Sequence, residues 1–329
     1  MPDSGKTGQN TSHHPHDKGY RQLLAKRKTF LELLQTFVGE GWVWEIAEGD
    51  LTLIDKSYVL QDFSDKEADI VYRLSLRGTD VIFYVLLELQ SAVDHTMPFR
   101  LLQYMVEVWR DAYSNTPEKE RKRKGFRLPA IVPAVLYNGD GGWTVCRSFR
   151  EYQLGQEGLP AHLLDFQYIL FDVNRYGEEE LQRSANVISS VFYLDQTVDP
   201  RELVNRIREL ADVLKGMTPE KFRQVAVWLR NAVKSKLPET LQDEMDHVLE
   251  ETEPWEVDKM ITNIERTLDE MRKQARTEGK VEGKVEGKVE GKVEAARAAL
   301  KEGLDVDVVC RITGLSKETV MELKKSLEN

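Results

Sequence analysis

The sequence predicts an α/β fold: a mixed sheet flanked by helices, then a helical extension and a small C-terminal three-helix unit. Three observations carry this expectation. Between Ala68 and Val173, four apolar runs rich in β-branched and aromatic residues ("ADIVYRLSL", "VIFYVLLELQ", "AIVPAVLY" and "FQYILFDV") surround one amphipathic helical stretch. Beyond about Tyr176 the strand signal gives way to apolar residues at helical spacing. From Ala295 to Asn329, helix stops and caps divide the chain into three short helices.

Composition bounds the reading. A chain of 329 residues with 41% hydrophobic content can bury a substantial core. Its two cysteines, Cys146 and Cys310, are too few for a disulfide framework, so a reducing, cytoplasmic setting is expected. No apolar run approaches the roughly 18 residues of a membrane helix, and the polar start "MPDSGKTGQNTSHHPHDKGY" has no apolar core for export. The net charge of −10 opposes loose binding to nucleic acid, which leaves any such contact to local basic surfaces.

In chain order, residues 1–15 are expected to be a disordered tail. One helix is expected from Lys18 to Val38, with Leu23, Leu24, Phe30, Leu31, Leu34 and Phe37 mostly at helical spacing and Gly39 and Gly41 ending it. The runs Ala68–Leu76 and Val81–Gln90 flank "RGTD" and read as an antiparallel hairpin. "MPFRLLQYMVEVWRDAY" places Leu101, Met105, Val108 and Ala112 on one face and Arg100, Gln103, Tyr104, Glu107 and Asp111 mostly on the other. In "AIVPAVLY", Pro133 points to an edge strand or a bulge. The domains expected are 16–195 for the α/β core, 196–275 for the helical extension, 276–294 for a linker and 295–329 for the tail.

The linker is the tetrad repeat "EGKVEGKVEGKVEGKVE", Glu278 to Glu294. Its i,i+4 pairs are like with like, and each glycine costs about 0.8–1 kcal/mol relative to alanine in a helix. A solvated linker is therefore expected. The alternative is a self-associating helix that uses the ridges of valine and glycine.

Chemistry concentrates in the hairpin. Asp69 is an acid within the first apolar run, and Glu88 and Gln90 stand two apart near the end of the second. Two carboxylates brought together in apolar surroundings lose hydration and repel each other, and a hard divalent cation resolves the conflict. Asp69, Glu88 and the backbone carbonyl of Leu89 form a sufficient oxygen donor set for Mg2+, or another divalent cation such as Mn2+ or Ca2+. The competing reading is a polar sheet end, its acids paired with Arg73 and Arg77.

An acid on one strand followed by acid-x-Gln on the next resembles the PD-(D/E)XK nucleases, with Gln90 in the place of lysine. The stretches "HDKGYRQLL", "ADIVYRL", "YVLLELQSAVDHTMPFRLLQYM", "LPAIVPAVLYNG" and "FQYILFDVNRY" resemble, in order, the recombination-promoting nuclease family, also labelled YhgA-like putative transposases. The resemblance runs from about His16 to Tyr193. It implies a restriction-endonuclease-like core and metal-dependent cleavage of DNA phosphodiester bonds in recombination or mobile-element contexts. By that analogy Asp69 and Glu88 hold the metal, Gln90 orients the attacking water, and a further acid comes from the first helix, with Glu32 preferred to Asp17. Asp94, Arg100 and Tyr104 also match the family pattern, and Arg100 could meet a phosphate or a structural acid. Gln103 and Tyr104 depart from the spacing in RecB-like nucleases, where Gln and Tyr stand four apart.

Other polar features are less specific. His13, His14 and His16 lie in the polar tail. The run "EKERKRKGFR" offers Arg121, Lys122, Arg123 and Lys124 to a DNA backbone. The tail "VCRITGLSKETVMEL" resembles a helix-turn-helix, but its mixed charge suits protein assembly as well as base reading. Two functions follow: a Mg2+-dependent DNA endonuclease, or an inactive DNA-binding or assembly protein that keeps the fold. A three-acid strand-transfer site is not found in the sequence.

Overall fold

The computed structural model describes residues 15–54, 70–88, 93–196, 200–234 and 252–328, together with Asp243, Asp246, His247 and Leu249. It has mixed α/β architecture, with one five-stranded sheet ordered β1-β2-β3-β4-β5. Strands β1 (Leu51–Leu53), β2 (Ile70–Leu76) and β3 (Thr79–Glu88) are antiparallel neighbours, whereas β4 (Ala130–Tyr137) and β5 (Ile169–Asp172) run parallel to β3. The β2–β3 hairpin closes through Arg77 and Gly78, at φ of 50° and 76°. Positive φ at both loop residues matches the twist of the flanking strands, and the glycine adopts it at no steric cost.

Helix α3 (Met97–Asn115) covers one face of the sheet. Met97, Leu101, Tyr104 and Val108 pack there with Val71, Ile82 and Val135. The opposite face meets α2 (Arg27–Phe37), whose Phe30 stacks on Tyr72 at 4.2 Å and meets Phe83 edge-on at 6.0 Å. After the short helices α4 (Glu118–Arg121) and α5 (Glu178–Ser184), helix α6 (Val187–Asp195) is buried from Val187 to Leu194 and meets α2 through Phe37 and Phe192, 4.9 Å apart. The helical extension, which begins with α7 (Pro200–Glu209) and α8 (Ala211–Lys215), is continuous with this core. In α9 (Pro219–Lys234), Trp228 packs edge-on against Tyr20 of α1 (Pro15–Leu24) at 6.1 Å. A Cβ on Gly19 would lie only 3.0 Å from that indole, so glycine permits the approach of the two helices.

Several expectations change. The first helix is two, α1 and α2, broken at Ala25–Lys26. Leu31 would continue the face of Leu24, yet it is half-buried while Phe30 and Leu33 are buried, so the break turns the second helix to suit the sheet. Tyr104, assigned to the polar face of its helix, is 2% exposed and belongs to the core. Strand β4 is internal, but β5 pairs only with Ala134–Tyr137, so at Pro133 that side of β4 is still an edge. Strand β1 is too short for any periodicity to announce it.

The chain divides into two units, Met1–Glu265 and Arg266–Asn329. The extension therefore belongs with the α/β core up to Glu265. The tetrad repeat, expected to be a linker, lies within the helix Val257–Lys301. In the second unit this helix is followed by Val306–Thr313 and Lys317–Glu328, and Ala296, Val309 and Val320 form the small core. Gly303 and Gly314 take left-handed conformations, at φ of 81° and 68°, and the N–H of Thr319 donates to Ser316 Oγ at 3.2 Å. These are the stops and cap that the sequence signals. No helix among the described residues is long and apolar enough to cross a membrane.

Candidate active site

The parallel strands β3, β4 and β5 end together. Glu88 is in register with Tyr137, and Tyr137 with Asp172. In-register positions on parallel strands share a face, so 88, 137 and 172 lie on the face that α3 covers. In open α/β sheets the crevice beyond the carboxyl ends of the strands is the usual ligand site. On the other side of β3, Ile70 pairs with Val85, so β2 begins three positions before Glu88 along β3. Of the residues assigned to the cation and the water, Glu88 alone is within the described backbone. Asp69, Leu89 and Gln90 lie outside the described residues.

Asp172 is a buried acid that the sequence pattern alone does not single out. It is 8% exposed, and its Oδ1 is enclosed without a hydrogen-bond partner. Burial raises its pKa above the ordinary carboxylate value, and the opposing effects of backbone N–H groups from Trp143 and Asn174 and of the Arg175 guanidinium do not cancel this. Arg175 Nε stands 3.8 Å from Oδ2. A Cβ on Gly142 would run into that guanidinium, so the glycine makes room for it. An acid ending the apolar run "FQYILFDV" is the available signal, the same pattern that marks Glu88.

The loop after β4 is held from several sides. Tyr137 Oη donates to the Gly141 carbonyl at 2.9 Å, and its ring meets Trp143 edge-on at 5.0 Å. Asn174 Nδ2 donates to the carbonyls of Asn138 and Gly139 at 2.8 and 3.0 Å. Asn138 Nδ2 and Tyr20 Oη both donate to Asp195 Oδ2, at 3.0 and 2.7 Å. Burial first, then the Asp195 carboxylate, holds the Tyr20 phenol well above its ordinary pKa, which keeps it a donor. Helices α1 and α6 thus fix the turn at the strand ends.

The remaining candidates separate. Glu32 accepts from the Val187 N–H at 3.2 Å and pairs with Lys221 Nζ at 2.9 Å, so its carboxylate joins α2 to α6 and α9. Arg100 Nη1 pairs with Asp94 Oδ2 at 2.6 Å, while Asp94 Oδ1 accepts from Thr96 N and Oγ1. Burial alone would raise the Asp94 pKa, but these Thr96 and Arg100 donors outweigh it and the pKa is lowered. Arg77 pairs with Glu45 at the hairpin turn, away from the strand end where Glu88 lies. That argues against the polar-end reading for this arginine.

The basic run lies at the other end of the sheet. Arg121, Lys122, Arg123 and Lys124 precede β4, whose first residue, Ala130, pairs with Val81, seven positions before Glu88. At about 3.3 Å per residue the run enters the sheet roughly 23 Å from the carboxyl ends. Within it, Lys122 pairs with Glu118 at 2.6 Å and Arg121 lies over the Tyr113 ring at 4.6 Å, whereas Arg123 and Lys124 are exposed. His13 and His14 are outside the described residues. Among the described residues, no group of three His, Cys, Asp or Glu side chains could hold a metal ion.

Comparison with known proteins adds a family. Residues 14–224 match the model of the family described as putative transposase, YhgA-like. Over 140 residues the chain is 26% identical to recombination-promoting nuclease RpnD of Escherichia coli O157:H7, covering 41% of this chain and 51% of that one. It is 24% identical over 127 residues to recombination-promoting nuclease RpnC of Escherichia coli strain K12, covering 38% and 39%. With the inactive recombination-promoting nuclease-like protein RpnE of the same strain it shares 20% identity over 213 residues, 64% and 68% of the two chains. The chain thus spans about half or less of the length of the two relatives named as nucleases. No solved structure matches it.

Proposed function

The chain belongs to the YhgA-like putative transposase family, and from that membership we propose that it is a DNA endonuclease that hydrolyses phosphodiester bonds in recombination or mobile-element contexts. The observation that carries the reading is the register at the strand ends: a hairpin starting at Ile70 and an acid, Glu88, closing a strand beside Tyr137. A restriction-endonuclease-like core is part of the same proposal.

The donors assigned to a cation are all hard oxygens, from Asp69, Glu88 and the Leu89 carbonyl, which suits Mg2+ and excludes a soft-metal preference. Held there, a divalent cation would supply Lewis-acid stabilisation of the charge that builds on the phosphate. Gln90 orients the attacking water, since a carboxamide both donates and accepts hydrogen bonds, but it brings no positive charge to the transition state. The clamped turn after β4 directly follows Tyr137, the residue in register with both Glu88 and Asp172.

Plasmid cleavage with and without Mg2+, at matched salt, tests the reading. Nicking or cutting by the parent chain that needs the cation and is lost in Glu88→Ala is expected. Cation-dependent cutting that persists in Glu88→Ala would remove this strand end from the mechanism. The second reading, an inactive DNA-binding or assembly protein, is favoured by one observation: the relative named inactive is matched over more of its length than the two named nucleases. Calorimetric titration with Mg2+ separates the two, because a binding site abolished by Glu88→Ala favours the enzyme.

A further inference from the structure

The helical repeat carries a charge pattern that its own residues three and four apart do not satisfy. At 100° per residue, a four-residue repeat advances each residue type by 40° per repeat and winds four stripes around the helix in the order Glu, Gly, Lys, Val. Residues three and four apart are neighbours on a helix. Here Glu278, Glu282, Glu286 and Glu290 each have valine at i+3 and glutamate at i+4, and Lys280, Lys284 and Lys288 each have glycine at i+3 and lysine at i+4. Between residues of the repeat, therefore, no i,i+3 or i,i+4 pair is of opposite charge, and only Glu294, at its end, has a cation, Arg297, at i+3. Lys280, Lys284, Lys288, Lys292 and Glu290 are accordingly exposed, and none makes an ion pair among the described residues. Nothing lies within 4 Å of the Cβ positions of Gly279, Gly283, Gly287 and Gly291, and Val289 is 50% exposed.

We propose that this helix pairs with the same helix of a second copy of the chain, in parallel, through the stripe of Val281, Val285, Val289 and Val293. The stripe has glutamates on one side and lysines on the other. A two-fold axis parallel to the helices sets the glutamate flank of one copy against the lysine flank of its partner on both sides of the seam. An antiparallel pair would oppose glutamate to glutamate and lysine to lysine. Ridges of residues four apart interdigitate at a crossing near −50°, so the contact is short and right-handed, and the pairing is expected to be weak and reversible. A dimer would put two copies of the first unit on one molecule, whatever that unit does. The inference does not rest on the nuclease reading.

Sedimentation velocity on the full chain, from about 1 μM to about 1 mM, spans the affinities of such short contacts. A monomer–dimer equilibrium that weakens as salt rises is expected, because the flanking pairs attract. A chain that stays monomeric throughout, or a dimer that strengthens with salt, overturns the proposal. Two charge-reversed chains sharpen it: one with Lys280, Lys284, Lys288 and Lys292 replaced by glutamate, the other with Glu282, Glu286, Glu290 and Glu294 replaced by lysine. Each alone should remain monomeric at concentrations where the parent dimerises, and mixing them should restore a mixed dimer. Self-association of either variant alone as strong as the parent's, or failure of the mixture to pair, overturns the charge seam. Circular dichroism of each variant guards against loss of the helix as the cause.

Discussion

The two ends of the β3–β4 strand pair differ in kind. The carboxyl end gathers acids and buried polar groups, Glu88 in register with Tyr137 and Asp172, and fixes its turn by hydrogen bonds to α1 and α6. The amino end carries exposed cations, Arg123 and Lys124, on a loop with few fixed partners. Cleavage chemistry needs enclosed, positioned acids, whereas backbone tracking needs solvated cations that meet phosphate from many angles. Along the strands, the two ends of the pair are roughly 23 Å apart.

The largest expected effect lies at the carboxyl end. Glu88→Ala should lower the cleavage rate by at least about 100-fold, the scale of losing one group that stabilises the transition state electrostatically, with DNA affinity nearly intact. At the amino end the pattern should reverse. Arg123→Ala with Lys124→Ala should weaken DNA binding and reduce the slope of log affinity against log salt by about 2, near 0.9 for each phosphate that is no longer neutralised. Cleavage at saturating DNA should be unchanged. Fluorescence anisotropy over a salt series checks this, and an unchanged slope would return the basic run to the solvent.

Much of this contrast is legible in the sequence and some is not. The hairpin follows from "RGTD", and the stops at Gly303 and Gly314 from the αL preference of glycine. The core face of α3 follows from Leu101, Met105 and Val108, but Tyr104 falls on the wrong side because a phenol suits either face of a helix until its neighbours are known. Glu32 reads as a catalytic acid because nothing local announces Lys221 and the Val187 N–H, which come from helices far along the chain. The place of the basic run, at the opposite end of the sheet from Glu88, is not legible because strand order and direction are not written in local periodicity. The repeat reads as a linker because its local propensity costs leave out the helical segments that precede and follow it in the same helix, Val257–Lys301.

A smaller effect is expected of Arg100, near the start of α3. Its pair with Asp94 is partly buried, with side chains 17% and 28% exposed. Arg100→Ala should cost about 1 kcal/mol, toward the upper end for pairs with solvent access. The sign with pH follows from the lowered Asp94 pKa. The stabilisation is present above the ordinary carboxylate range and is lost as pH falls through the depressed value. Urea unfolding at neutral and acid pH checks this, and a fall in DNA affinity larger than that of Lys124→Ala would make Arg100 a phosphate contact instead.

Asp172 gives the smallest shift and the opposite sign. Its folded pKa is raised by burial, so the folded state holds its proton more tightly than the unfolded chain does. Stability therefore declines as pH rises from the ordinary carboxylate value through the raised one, and the loss persists at neutral pH. Asp172→Asn keeps an acceptor for the N–H groups of Trp143 and Asn174 but removes the charge. It should raise the melting temperature by a few degrees at neutral pH and flatten that decline. A carboxylate retained at a cost in stability, in register with Glu88, is what a working site would keep. Lower cleavage together with higher stability in Asp172→Asn would extend the carboxyl end of the comparison to a second acid. Higher stability with unchanged cleavage would leave Glu88 as the chemical member of this strand end and Asp172 as an anchor for the turn beside it.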